Sequence, residues 1–207
     1  MIVADLPNTI GEWQSPRQAL ASNVMNRPKV YTREGDDGTT GLFYGGRVPK
    51  DSELPRAYGT VDEAQAVLGL TRAAAGVDSE VSQILIPIMK DLWVLMAELA
   101  TLPENRGKLE AGSTAVSSDM VDRLERIIDS LDERFEPPNE FVVPGGNTVA
   151  AWLDLGRTVV RRAERHSLAA APSPSHVVPY LNRLSDLLWT MARWQEGTSL
   201  KVRTISD

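Results

Sequence analysis

From Thr60 onward, apolar residues recur at helical spacing, and the pattern predicts five helices. In the most informative, Val149, Trp152, Leu153, Gly156, Val159, Val160 and Ala163 fall on one stripe of a helix with 3.6 residues per turn. Asn147 supplies its N-cap, after an extended piece from Phe141 that Pro144-Gly145-Gly146 stops. Upstream, Thr60 and Glu63 have capping-box spacing and predict a helix that Gly76 closes, with Val61, Ala64, Val67 and Leu68 inward. A second helix, from about Ser79 to Leu102, is apolar almost all round and reads as the middle of a bundle, kinked at Pro87. A third, about Ser118 to Phe135, pairs Asp119 with Arg123 and Asp122 with Arg126 on an outer face. The fifth, about Ser175 to Glu196, buries Leu181, Leu184, Leu188 and Met191. It carries Asn182, Asp186, Trp189 and Arg193 as a second stripe suited to a partner surface.

Strand signal is confined to short pieces near 29 to 48 and 140 to 143. The fold class that follows is all-α, an antiparallel five-helix bundle of ferritin-like up-down topology with a glycine-rich N-terminal arm. Residues 1–28 lack sustained periodicity and read as a loosely ordered extension, 29–197 as the helical-bundle domain with its arm at 29–50, and 198–207 as a tail. Five glycines between Val30 and Arg47 let the backbone turn at positive φ or approach a ligand closely. A hairpin turning at Asp37-Gly38 and an anion-cradling loop are both consistent with that stretch. It is neither a Walker A loop nor a Gly-x-Gly-x-x-Gly turn.

Composition narrows the chemistry. A net charge of -6 over 207 residues speaks against a general nucleic-acid binder, so any anion site is local. The absence of cysteine excludes disulfides, thiolate metal sites and cysteine nucleophiles, and His166 and His176 are too few for a histidine-rich metal centre. No apolar run is long enough to span a bilayer and residues 1–28 lack a secretory pattern; the expectation is a soluble cytoplasmic protein. Against that acidic background, Arg157, Arg161 and Glu164, with Arg165 beside them, border the apolar face of the fourth helix. The plain reading is a solvated charged face. The alternative is a polyanion site, because each guanidinium is permanently charged and presents a planar fork of donors to phosphate oxygens.

Five motifs in order carry a resemblance: Tyr31-Thr32-Arg33-Glu34-Gly35-Asp36-Asp37-Gly38-Thr39-Thr40, Ala57-Tyr58-Gly59-Thr60-Val61-Asp62-Glu63, Phe141 to Gly146, Arg161-Arg162-Ala163-Glu164-Arg165 and Tyr180 to Asp186. Together they resemble the propanediol-utilisation type of ATP:cob(I)alamin adenosyltransferase, over residues 30 to about 195. The resemblance implies a homotrimer with ATP at each subunit interface, wrapped by Thr32, Arg33, Glu34, Gly35, Thr39, Thr40 and Lys50. Arg161, Arg162, Glu164, Arg165 and Asn182 would come from the neighbouring subunit. It further implies an intersubunit ion pair between Asp62 and Arg157, and places Phe141 against the lower face of the corrin. The implied reaction moves the 5′-deoxyadenosyl group of ATP to cob(I)alamin, giving adenosylcobalamin and triphosphate, with Arg161 and Phe141 as the catalytic pair. Mg²⁺ would accompany ATP, though no metal ligand is assigned; a cob(II)alamin reductase and an adenosylcobalamin-dependent enzyme are the implied protein partners, with no role for nucleic acid or membrane. The alternative is a diverged member that binds ATP or adenosylcobalamin as carrier or sensor. Asp154 stands where members usually have histidine, Asp37 where many have lysine and Met96 where glycine is common, and the tail after Gly197 lacks the family's usual ending.

Overall fold

A computed structural model of the chain describes residues 31–171 and 173–204; the extension expected over 1–28 lies outside the described residues. The described chain divides into a short first unit, 31–36, and a second unit from Asp37 onward. The second unit holds five helices: α1 (Glu53–Ala75), α2 (Glu80–Leu99), α3 (Ser118–Asp132), α4 (Thr148–Ala170) and α5 (Val177–Glu196). They pack as a bundle in which α1 lies against α2 and α4, α4 against α5, and α5 against α3. Leu68, Leu85, Ile88, Leu92, Leu95, Leu124, Leu153, Leu181, Leu184 and Leu188 are fully buried and form the core.

α4 is built as its sequence demands. The Asn147 side chain accepts from Ala150 N at 2.9 Å, a cap of a kind that contributes about 1 kcal/mol. Leu153, Val160 and Ala163 are fully buried and Val159 nearly so. Gly156 faces both neighbours: a Cβ there would sit 3.5 Å from Leu68 and Leu188 side-chain carbons. That is ordinary van der Waals distance, so α1 and α5 close on α4 with room for a methyl group and little more.

Several boundaries differ from the sequence reading. α1 begins at Glu53 after Ser52, so Thr60 lies inside the helix rather than at its start. Pro55 falls in the first turn, where its missing N–H costs nothing, and Thr60 Oγ1 donates to Arg56 O at 2.7 Å instead of capping. α2 runs through Pro87 and ends at Leu99, ahead of a 3₁₀ segment, Pro103–Lys108. It is not the middle helix: Ile86 and Trp93 point outward and its main neighbour is α1, whereas α1, α4 and α5 each pack against two helices. α3 stops at Asp132, and its Arg123 does not pair along the helix but reaches Asp91 of α2. Tyr180 Oη donates to the same carboxylate at 2.8 Å. Burial, then the Asp91 charge, pushes the Tyr180 hydroxyl pKa well above its ordinary value.

The glycine-rich region forms a hairpin, but not with the expected turn. β1 (Thr39–Gly41) and β2 (Arg47–Pro49) are antiparallel, with Thr40 opposite Val48. The chain reverses at Leu42–Gly46, where Tyr44, Gly45 and Gly46 take φ of 53°, 94° and 90°. Asp37 lies before β1, its carboxylate accepting from Thr39 N at 2.9 Å. That bond, with the Thr39 hydroxyl and Arg47, holds the Asp37 pKa below its ordinary value. The expected extended piece at 140–143 is present as an antiparallel bridge between Val142 and Lys201.

Candidate functional site

The arginine strip occupies the C-terminal half of α4. Arg161 and Arg165 are exposed, and among the described residues neither forms an ion pair; Arg165 Nη1 donates to Arg161 O at 2.9 Å. Arg162 pairs with Glu63 of α1, both half exposed. Glu164 accepts from Asn182 Nδ2 of α5 at 3.1 Å, and Asn182 Oδ1 accepts from Arg183 Nη1 at 2.7 Å. The helix therefore brings Arg161, Arg162, Glu164, Arg165 and Asn182 into one neighbourhood with cations left over.

On the hairpin, Thr39 is tied down, its Oγ1 donating to Asp37 at 2.8 Å and accepting from Arg47 Nη2 at 2.8 Å. Thr40 is half-buried beside it. Lys50 follows β2, with its N–H bonded to Gly38 O at 2.9 Å and an exposed side chain. In the separate unit, Arg33 to Asp36 form a turn closed by Asp36 N donating to Arg33 O at 3.3 Å, and Thr32 Oγ1 accepts from Glu34 N at 3.3 Å. Arg33 there has φ of 66° and sets its guanidinium over the Tyr31 ring. A non-glycine residue held in that region is a strained conformation of the kind that gathers at ligand sites.

The N-terminal half of α4 borders a cleft of about 910 Å³, within the range of small-molecule and cofactor sites. Phe141, Val142 and Pro144 line one side, Asp154, Arg157, Trp189 and Arg193 another, and Val202 closes it. Phe141 is 89% exposed, an unusual position for a large apolar side chain with no further use. Its backbone is nonetheless fixed: Phe141 O accepts from Val202 N at 3.0 Å, and Val143 N donates to Leu200 O at 2.8 Å. The tail thus straps the segment that carries Phe141.

Two features escaped the sequence reading. Arg193, assigned to an outward partner stripe, is 2% exposed and donates through Nη2 to Asp154 at 2.5 Å. The signal was an aspartate set beside Leu153, next to the apolar stripe of α4, where a carboxylate needs a buried cation. Glu63 was read as a capping residue and is instead the carboxylate that meets Arg162. Asp62 is exposed and forms no ion pair among the described residues, while Arg157 Nε lies 3.4 Å from Asp154 Oδ1 of its own chain.

With this geometry in place, comparisons with known proteins are specific. Residues 30–195 match the family model for cobalamin adenosyltransferase. A corrinoid adenosyltransferase of Citrobacter freundii is 39% identical over 173 residues, covering 82% of this chain and 96% of the relative. One from Mycobacterium tuberculosis H37Rv is 40% identical over 176 residues, covering 82% and 90%. Among solved structures, a single-residue variant of a PduO-type ATP:corrinoid adenosyltransferase from Lactobacillus reuteri, complexed with cobalamin and ATP, superposes with a TM-score of 0.75. It is 28% identical, covering 86% of this chain and 99% of that one. The chain belongs to the cobalamin adenosyltransferase family, of the PduO type.

Proposed function

We propose that this enzyme transfers the 5′-deoxyadenosyl group of ATP to cob(I)alamin. The observation that carries the reading is the division of α4. Its first half borders a cleft walled by the exposed Phe141, and its second half carries arginines in surplus. Arg157 and Arg161 are separated by four residues, about 6 Å along a helix axis, and Arg165 lies about 6 Å further. A flat apolar ligand in the cleft and a polyanion along the strip would then meet on one rigid element.

The chemistry asks little of the protein in covalent terms. The cobalt electron pair forms the Co–C5′ bond as the C5′–O bond breaks, and the pair from that bond leaves with triphosphate. No side-chain nucleophile or base is needed. The protein's tasks are to align cobalt with C5′ and to stabilise negative charge on the departing triphosphate. Arg161, Arg162, Arg165 and Lys50 suit the second task, with Thr32 to Gly35, Thr39, Thr40, Glu164 and Asn182 as further ATP contacts. Phe141 suits the reduction that precedes transfer, by excluding a lower axial ligand from cob(II)alamin. Among the described residues no group of three or more acidic or histidine side chains is placed to hold a metal ion. Mg²⁺ arriving with ATP would be held chiefly by phosphate oxygens and water with at most one or two carboxylates, the mode this ion favours.

The site is completed between copies of the chain in a homotrimer, in which Asp62 of one copy pairs with Arg157 of the next. The unpaired, exposed state of Asp62 in the single chain supports that arrangement. The compartment is the cytoplasm. No helix among the described residues is long and apolar enough to cross a membrane. An anaerobic assay following the loss of cob(I)alamin absorbance on addition of ATP tests the proposal. Stoichiometric adenosylcobalamin and triphosphate are expected; nucleotide binding without turnover would replace the enzyme by a carrier or sensor.

A further inference from the structure

The floor of the cleft contains an arrangement that the proposed reaction does not itself require. Asp154, 7% exposed, faces two guanidinium groups. Its Oδ2 accepts from Arg193 Nη2 at 2.5 Å, and its Oδ1 lies 3.4 Å from Arg157 Nε. Arg193 needs a counter-charge, because a buried cation left unpaired is strongly destabilising. Glu196 already supplies one, with Oε2 3.3 Å from Arg193 Nε and a side chain only 1% exposed. Glu196 offsets the charge of Arg193 without hydrogen-bonding its Nε, so Asp154 Oδ2 serves Arg193 as its hydrogen-bond acceptor and leaves Oδ1 for a second task.

What Asp154 adds is its hold on Arg157. The Arg157 side chain is 31% exposed and lines the cleft together with Phe141 and Trp189. Only its Nε is engaged among the described residues. A guanidinium carries five N–H donors in a rigid plane, so fixing Nε aims the other four. That is enough for a carboxylate from a neighbouring copy and for an acceptor inside the cleft.

We infer that Asp154 is a positioning residue which holds Arg157 so that its distal N–H groups donate to the amide carbonyl oxygens at the rim of the corrin ring. The ring face then lies on Phe141 and Trp189, and the buried Arg193 keeps the Asp154 carboxylate from turning away. Glu196 Oε1 also accepts from Gly146 N at 3.1 Å, which ties the same group of charges to the loop carrying Phe141. This inference rests on the corrinoid reading of the cleft and specifies which side chains recognise the polar rim of that substrate.

The test is a steady-state and binding comparison of Asp154→Asn and Asp154→Glu with the wild-type trimer, using cob(I)alamin and ATP as separate variables. For Asp154→Asn the KM for cob(I)alamin should rise roughly tenfold, the effect of losing one well-placed charged donor, while the ATP Kd and the trimer mass stay unchanged. Asp154→Glu keeps the charge and should recover part of the loss. If Asp154→Asn does not fold, Arg157→Lys answers the same question. It keeps a cation for the intersubunit pair but loses the planar fork, and should raise the cob(I)alamin KM to a similar degree. An unchanged cob(I)alamin KM with a lowered Tm would make Asp154 a purely structural group and overturn the inference. So would a parallel loss of ATP affinity, which would assign Arg157 to the nucleotide. A wild-type protein that binds ATP but does not consume cob(I)alamin would instead remove the functional reading itself.

Discussion

The two halves of α4 both gather arginines, and they use them in opposite ways. In the first half, Arg157 and the α5 residue Arg193 meet Asp154, and Glu196 completes a group with two charges of each sign. In the second half, Arg161 and Arg165 are exposed and form no ion pair among the described residues, and only Arg162 has a carboxylate, Glu63. The difference teaches how burial decides what an arginine is free to do when the residue type is the same: Arg193 is 2% exposed and Arg157 31%, and both are paired. Buried cations must be matched one for one, since desolvation makes any surplus costly. Exposed cations need not be, and a local excess on a chain of net charge -6 remains available to a polyanion.

Arg161→Ala tests the unmatched half most directly and should have the largest effect. On the proposed reaction it removes a donor to the departing triphosphate, and the loss of one such donor costs about 10²- to 10³-fold in rate. Because Arg161 is exposed and its side chain supports no other side chain among the described residues, Tm should stay within a degree or two of wild type. Turnover within twofold of wild type, in a steady-state assay with pre-reduced cob(I)alamin, would remove Arg161 from the site.

Asp62→Ala probes the boundary between the halves. On the proposed assembly it leaves Arg157 without its intersubunit partner, although Asp154 still holds Nε. The expected loss is about 2 to 3 kcal/mol per contact, below the 3 to 5 of a fully desolvated pair. It should appear as a trimer that dissociates at lower dilution and binds ATP less tightly. A reciprocal charge exchange is a poor control, because an aspartate at position 157 would face Asp154. Light scattering that gives an unchanged trimer, together with an unaltered ATP Kd, would show that Asp62 and Arg157 do not pair.

The same contrast explains what could be read from the sequence. The stripe from Val149 to Ala163 and the cap at Asn147 were legible because both are local, set by helical period and one side-chain bond. The strip at Arg161 to Arg165 was legible because surplus charge on a surface has no hidden partner. The Asp154–Arg193 pair was not, since it joins residues 39 positions apart and depends on the packing of α4 against α5. Thr60 misled for the converse reason: Thr-x-x-Glu fits a capping box, but Ser52 and Pro55 had already started the helix. Of the two readings left open for the glycine-rich stretch the hairpin is present, but its turn falls at Tyr44-Gly45-Gly46, while Asp37 lies before β1 and holds Thr39.

Phe141→Ala asks whether the matched half serves the cleft. At 89% exposure the side chain contributes little to the fold, so stability should not change. The hypothesis is that its ring excludes a lower axial ligand. An assay starting from cob(II)alamin and a reductant should therefore be impaired roughly tenfold more than one starting from cob(I)alamin, equivalent to about 1.4 kcal/mol. A full optical signature of four-coordinate cob(II)alamin in the ATP-bound variant would reduce Phe141 to a surface residue.

Glu63→Gln should have the smallest effect, and its sign is the informative part. The Arg162–Glu63 pair is exposed on both sides, at 41% and 52%. Exposed pairs of this kind are worth about 0 to 1 kcal/mol, so the fold should not depend on it. If the second half of α4 is a true surplus of cations, Glu63 competes with triphosphate for Arg162, and removing its charge should tighten ATP binding by up to about fivefold. The gain should shrink as ionic strength rises, because solvent-exposed charges are screened over about 10 Å at 0.1 M salt. Weaker ATP binding in Glu63→Gln would reverse the interpretation. Glu63 would then orient Arg162 as Asp154 orients Arg157, and the two halves of the helix would differ in burial alone.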